Sequence, residues 1–326
     1  MRYSTSILKV IEMNVDISDF DLSVLLVNDP GVGATASDMA IKREVVRQLI
    51  YKRANFISTG VKLVGLSTED NLDVKFSFPS DAAVHYPVPE GSGADLTRVE
   101  WAEFAYSLAK AEGRFFITDE AVIRGTDRTQ WQTGIRRLGE AMAAEKDNNI
   151  LQTLYAGALP ANTVAATAAW AGATIAQILT DITSCVNNVL NAHGATDADL
   201  TNIAIVVPLK AWVGLLRLEN VVGTNVQMLQ YIVDSYKIDI MPTKNVTAFV
   251  AAGGAATDGV ALIKGIDTAV HGTLSPPAGI PLVETAREEG VGTEYIVRQF
   301  FNTQIVPEQS GQNNTARIAR LTGCGV

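Results

Sequence analysis

Residues 117–155 read ITDEAVIRGTDRTQWQTGIRRLGEAMAAEKDNNILQTLY, and their spacing sets the architecture. Thr118-Asp119-Glu120 opens a short helix, where acids in the first turn complement the helix dipole. Thr126 or Asp127 then starts a second helix that runs to about Tyr155. Trp131, Ile135, Leu138, Met142, Ile150, Leu151 and Leu154 fall near helical spacing, while Arg136, Arg137, Glu140, Lys146 and Asp147 fill other positions. At roughly 1.5 Å per residue this gives a rod on the order of 43 Å, far beyond the mean helix of about 11 to 12 residues.

Upstream the texture is β. Arg98–Ile117 reads as one long strand, with Phe104, Tyr106 and Leu108 at period two. Between Thr59 and Asp95, Val61, Leu63, Val74, Phe76 and Phe78 alternate with polar residues. A loop holding Pro79, Pro87, Pro89, Gly91 and Gly93 follows. This predicts a long two-stranded hairpin with little core of its own, which is marginal in isolation. Phe76, Phe78 and Tyr86 would be exposed apolar surface unless a partner covers them. Nearer the N-terminus, Ile11, Met13, Val15 and Ile17 alternate with Glu12, Asn14, Asp16 and Ser18, as in an extended strand. Pro30-Gly31-Val32-Gly33 is a turn, and Ser37 or Asp38 caps a helix whose apolar face is Ile41, Val45, Leu49 and Ile50.

Downstream, Gly157–Gly172 is rich in small residues and reads as a linker at a domain boundary. Helix and strand then alternate: a helix from Ile175 through Leu190, a strand Ile203–Val207, a helix opened by Pro208, a helix Val226–Tyr236, then strands at Ile238–Met241, Thr247–Ala251 and Val260–Ile263. Beyond Pro276-Pro277 long strands return at Leu282–Arg287, Glu294–Val306 and Ala316–Leu321.

Bulk properties exclude several classes. The chain has 326 residues, 47% hydrophobic and 19% charged, a composition that folds. Its net charge of -9 and pI near 4.9 do not suit a surface that grips nucleic acid throughout. The N-terminus lacks the apolar core and cleavage site of a signal peptide, and the uncharged stretch Asn148–Thr180 is too weakly apolar to span a bilayer. Cys185 and Cys324 read as a core thiol and a tail thiol of a reduced protein. Two sequons, at Asn245 and Asn313, then carry no meaning.

Motifs for chemistry are missing. His85, His193 and His271 stand apart from any ligand at metal spacing. Gly31-Val32-Gly33 lacks the third glycine of a dinucleotide loop and is read as a turn. No nucleophile elbow or phosphate loop exists. Asp119-Glu120 is a helix start rather than an acid pair, and Arg124, Arg128, Arg136 and Arg137 make a solvated or inter-subunit face. No catalytic, cofactor or metal residue is assigned.

The order of parts carries the resemblance. Arm, helix, long hairpin, long strand, Ile117-Thr118-Asp119-Glu120-Ala121 leading into a long helix, a separate α/β region and returning strands together resemble the Hong Kong 97-type major capsid protein of tailed viruses. Leu138–Asn148 resembles the end of that family's spine helix. Ile205-Val206-Val207-Pro208-Leu209-Lys210-Ala211-Trp212 resembles its axial-domain strand and helix.

The resemblance implies an α+β fold with N-terminal arm 1–35, N-terminal helix 36–58, extended β-hairpin loop 59–95, peripheral domain with spine helix 96–157, α/β axial domain 158–275 and returning strands 276–326. It further implies pentamers and hexamers closing into an icosahedral virion capsid around double-stranded DNA, assembled in the host cytoplasm and away from membranes. The short arm implies a separate scaffolding protein or none, and portal and cement proteins are the further implied partners. Phe76, Phe78, His85, Tyr86 and Pro87 of the hairpin are the expected subunit interface. An encapsulin shell around enzyme cargo and a soluble α/β enzyme are the alternatives. Some members weld subunits through a lysine on this loop, but Ser77–Gly93 holds no lysine and Lys62 and Lys75 sit lower on the arms. Shells held by non-covalent contacts are therefore expected.

Overall fold

The computed structural model describes residues 50–51, 53–55, 57–79, 101–124, 127–191, 201–217, 232–233, 237–275, 283–288, 291–306 and 315–325. The expected arm strand, most of helix 36–58, the hairpin tip and most of helix 226–236 lie outside them. In chain order the strands are β1 (Val64–Glu69), β2 (Asp73–Pro79), β3 (Trp101–Ser107), β4 (Ala109–Thr118), β5 (Thr163–Ala165), β6 (Ile203–Pro208), β7 (Asp239–Thr243), β8 (Gly259–Ile263), β9 (Gly265–Leu274), β10 (Val283–Glu288), β11 (Gly292–Ile305) and β12 (Ile318–Thr322). The helices are α1 (Asp119–Ile123), α2 (Asp127–Gly157), α3 (Ile175–Leu190), α4 (Leu209–Arg217) and α5 (Thr247–Ala251). The chain divides into two compact units, the first holding Lys110–Lys146 and Pro276–Phe300 with the residues up to Ser58, the second the remainder.

In the first unit, Ile135, Leu138, Met142 and Ala143 of α2 pack on Ile50, Ala54 and Val297. Helix and strand approach closely because small residues permit it. A Cβ on Gly113 of β4 would lie 2.1 Å from Leu138, and one on Gly134 of α2 would lie 2.6 Å from the Phe115 ring. Phe115 in turn stacks on Tyr295, ring centres 5.0 Å apart, with Trp131 edge-on at 5.5 Å. Leu138→Ala should lower subunit stability by about 2 to 5 kcal/mol, because the side chain is buried in this cluster and its removal leaves a cavity. Urea unfolding measures it, and a loss well under 1 kcal/mol would contradict this packing.

A charge cluster lies on the same unit. Glu112 of β4 accepts from Arg298 Nε at 2.9 Å, from Arg114 at 2.7 Å and from Lys110 at 3.1 Å. The hydrogen bond from Arg298, then those from Arg114 and Lys110, hold its carboxyl down at about 2. A carboxyl with a depressed folded-state pKa adds stability above its unfolded value of about 4.3, and that share disappears as pH falls toward 2. Between pH 5 and pH 2 the wild type should therefore lose stability more steeply than Glu112→Gln. Parallel pH profiles would remove Glu112 from that role. Lys146 is fully buried, donates to Asn55 Oδ1 at 2.6 Å, and is pulled down to about 8 by desolvation.

The second unit is built on a sheet of order β5-β12-β8-β6-β7. Its central strands are apolar on both faces, as strands covered on both sides must be. Period two then sorts their side chains into two cores. Ile203, Ile205 and Val207 of β6 and Ala261 and Ile263 of β8 meet Ile178, Ile182, Cys185 and Val189 of α3. Ala204 and Val206 of β6 and Val260 and Leu262 of β8 meet Ile150, Leu151 and Leu154 of α2. α3 starts at a capping box in which Thr174 and Gln177 satisfy each other's backbone N–H groups. The same unit holds a parallel pair β1/β9, an antiparallel pair of β9 with Phe301–Ile305, and an antiparallel ribbon β2/β3.

Several expectations are corrected. Among the described residues β1 and β2 do not pair with each other: β2 pairs with β3, while β1 pairs with β9 some 200 residues on. Gly60–Lys62 is a turn of 3-10 helix, because Asp147 accepts from the Gly60 N–H at 2.7 Å and from Thr59 at 3.3 Å. The expected long strand is two among the described residues, Trp101–Ser107 and Ala109–Thr118, broken at Leu108, whose N–H turns to the Leu72 carbonyl. Thr247–Ala251 is a helical turn burying Ala248 and Phe249, not a strand. Pro208 ends β6, and α4 begins one residue later. Gly157–Gly172 is no free linker, since Ala158 and Trp170 are buried and Trp170 belongs to the α3 core. Cys324 is likewise a core residue rather than a tail thiol.

Candidate assembly surface

The β2/β3 ladder runs from Asp73 opposite Ser107 to Pro79 opposite Trp101. Alternation along a strand gives this ribbon one polar and one apolar face. Asp73, Lys75, Glu103, Ala105 and Ser107 are exposed on the first. On the second, Val74 faces Tyr106 and Phe76 faces Phe104, with Phe78 in register with Ala102. The apolar face is graded along its length. Val74 and Tyr106 are buried at the base, whereas Phe76 and Phe104 are only half-buried. Phe76, Phe104 and Tyr106 form a triangle of rings with centres 5.7 to 6.1 Å apart.

The base is firmly set. Gly272 of β9 leaves room for the Tyr106 hydroxyl, which a Cβ there would approach to 2.1 Å. Burial, with a smaller push from Glu69, raises that phenol to about 12. Asn302 donates to the Ser107 carbonyl at 2.8 Å. The face is thus anchored at Val74 and Tyr106 and half-buried at Phe76 and Phe104.

Of the expected interface residues, Phe76 lies on this face and Phe78 occupies the next position of its register. His85, Tyr86 and Pro87 lie outside the described residues. Sequence reasoning missed Phe104 and Tyr106 as partners of Phe76. The available signal was matching period-two aromatics on both sides of one Pro- and Gly-containing stretch. On the other unit, Ile123 is 85% exposed at the end of α1.

The described residues offer little for catalysis. They contain no grouping of three His, Cys, Asp or Glu side chains suited to a metal. Cys185 and Cys324 are buried free thiols, the former pushed by desolvation up to about 12 and the latter also raised, so neither is a thiolate near neutral pH. His271 is buried and hydrogen-bonded through Nδ1 to Thr303 at 2.9 Å. No helix among the described residues is long and apolar enough to cross a membrane.

Spine helix, two-sided sheet and projecting aromatic ribbon together define a shell subunit of the Hong Kong 97-type capsid fold. Comparison with known families agrees: the phage capsid protein family matches residues 101–308, and the chain belongs to that family. It is a major capsid, shell-forming structural protein of the virion. Among solved structures, a virus-like particle from Pyrococcus furiosus is 11% identical at a TM-score of 0.57, with 85% of this chain and 97% of that one covered. The capsid of cyanophage P-SCSP1u is 13% identical at 0.52, covering 81% and 88%. The holo-SrpI encapsulin complex from Synechococcus elongatus is 12% identical at 0.51, covering 82% and 89%. No curated protein matches the chain.

Proposed function

We propose that copies of this chain assemble through pentamers and hexamers into an icosahedral shell around a double-stranded DNA genome, with no catalysis by the subunit. The observation that carries the reading is the β2/β3 ribbon, whose aromatic face is buried at its base and half-exposed beyond it. A neighbouring subunit is the surface that completes it, with Phe76, Phe78, His85, Tyr86 and Pro87 at the contact. Assembly takes place in the host cytoplasm, with separate scaffolding, portal and cement proteins as partners. The net charge of -9 supports a wall that encloses DNA without holding it tightly.

Electron microscopy and light scattering of purified protein test this. Closed particles, or capsomers that become particles when scaffold is supplied, are expected. A monomer or dimer stable across concentration, salt and pH would end the reading. An enzyme-cargo compartment is the competing assignment, since an encapsulin is among the similar structures. Particles purified from the natural source should contain DNA, and protein cargo in its place would decide for the compartment.

The contacts are non-covalent. Boiled particles should run near 34.8 kDa on a denaturing gel with or without reductant. A ladder that survives boiling in reductant would identify a lysine crosslink.

A further inference from the structure

The base of the β2/β3 ribbon is tied inward by a relay of polar side chains that ends on a buried histidine. Asn302 of β11 donates through Nδ2 to the Ser107 carbonyl at the end of β3, at 2.8 Å. Its Oδ1 accepts from the Thr303 N–H at 2.9 Å and from Asn149 Nδ2 of α2 at 3.2 Å. Asn149 Oδ1 accepts from Thr303 Oγ1 at 2.6 Å, and the same hydroxyl lies 2.9 Å from His271 Nδ1 of β9. All of these residues belong to the second unit.

The relay fixes where the histidine proton sits. A carbonyl only accepts and a backbone N–H only donates, so the Ser107 carbonyl and the Thr303 N–H decide which way the Asn302 amide faces. Asn302 Oδ1 then orients the Asn149 amide, whose oxygen is left for the Thr303 hydroxyl. Having given its one proton to Asn149, Thr303 Oγ1 is an acceptor toward the imidazole. His271 therefore carries its proton on Nδ1, and a second proton would go to Nε2. That proton would bring a charge into a site closed to water, for His271 is 0% exposed and its ring centre lies 5.5 Å from that of Phe301.

The surroundings offer that charge little. In register with His271, β1 presents Leu66 and then Thr68, while Glu69 lies on the opposite face and accepts from Ser67. Around Thr303, β11 presents Phe301 and Ile305. On α2 the charged residues nearest Asn149 are Lys146, which donates to Asn55, and Asp147, which accepts from Gly60 and Asn245. On β9 itself Asp267 is exposed, and beside Gly272 stands Tyr106, a neutral phenol.

We propose that His271 is an acid-sensitive latch for the ribbon. While the imidazole is neutral, the relay holds the end of β3 to α2. A second proton drives the ring from its buried seat, Thr303 loses its donor, and pairing at the base of the ribbon loosens. The sign follows from linkage. A histidine buried without charge favours the closed base above about pH 6.5, its unperturbed value, and that share falls below it by at most about tenfold per pH unit. The latch is a property of the single subunit and goes beyond the assembly reading.

Hydrogen exchange on the full-length chain between pH 7 and pH 5, corrected for the intrinsic pH dependence of exchange, tests it. This window stays above the titration of Glu112. Protection of the amides of β2 and β3 should fall about tenfold, while those of β6 and β8 hold theirs. His271→Gln, whose amide donates to Thr303 without titrating, should keep the ribbon protected at both pH values, and Asn149→Ala should leave it loose at both. Nitrogen NMR of the imidazole at pH 7 should place the proton on Nδ1. A ribbon equally protected at pH 5, an equal loss in β6 and β8, a pH response that survives His271→Gln, or a proton on Nε2 would each overturn the latch. The exchange profile and the nitrogen spectrum of the wild type decide the matter even where a variant does not fold. Chains that never form particles would defeat the assembly reading alone.

Discussion

A chain in which Pro79–Gly93 is replaced by a short glycine linker should fold and yet form no closed shells. Both cores of the second unit draw on β6, β8, α2 and α3, which this change leaves intact. The base of the ribbon also stays, because Val74 and Tyr106 are buried below the cut and Gly272 still houses the tyrosine. What goes is the stretch that carries His85, Tyr86 and Pro87 of the expected contact. Circular dichroism and the melting temperature should be close to wild type while particles vanish from electron micrographs. Normal shells from the shortened chain would refute the hairpin as an assembly element.

The second large effect is on folding itself. Asp181 is 2% exposed and binds three donors: Thr167 N–H at 2.9 Å, Thr167 Oγ1 at 2.6 Å and Trp170 Nε1 at 2.9 Å. Thr167 is exposed, so water can take over its two bonds. Trp170 is 1% exposed and cannot be rescued that way. Asp181→Ala leaves a buried indole N–H without an acceptor and opens space beside it, which should cost about 3 kcal/mol. Chemical unfolding should register the loss, and a change below 1 kcal/mol would show that the carboxyl is incidental to the Trp170 loop.

Much of this fold is legible in the sequence because several signals are local. The period of Trp131 through Leu154 places α2, whose observed length is 31 residues. The unbroken apolar runs of β6 and β8 announce strands covered on both faces. Partner choice is where local reading fails. Nothing in Val64–Glu69 says that it will lie parallel to β9, and a propensity for strand in Thr247–Ala251 yields to burial of Phe249 on a helical turn. The run of small residues before Trp170 looked like a linker because its anchor, Asp181, lies in the next helix. For the interface, Phe76 was readable as an unpartnered aromatic. Its stack with Phe104 and Tyr106 depends on a pairing across an intervening 21 residues, 80–100, whose register no local pattern reports. The order of parts pointed to the capsid fold even though the similar structures are only 11 to 13% identical.

The pairing of β5 with β12 also has a bearing on timing. Thr163–Ala165 must wait for Arg320–Thr322 before it has its ladder, and β12 is also the neighbour of β8. A ribosome adds about 5 to 20 residues per second, so the early strand stands idle for roughly 8 to 30 seconds while the intervening chain is made. A nascent subunit thus lacks a finished sheet until translation has passed Thr322.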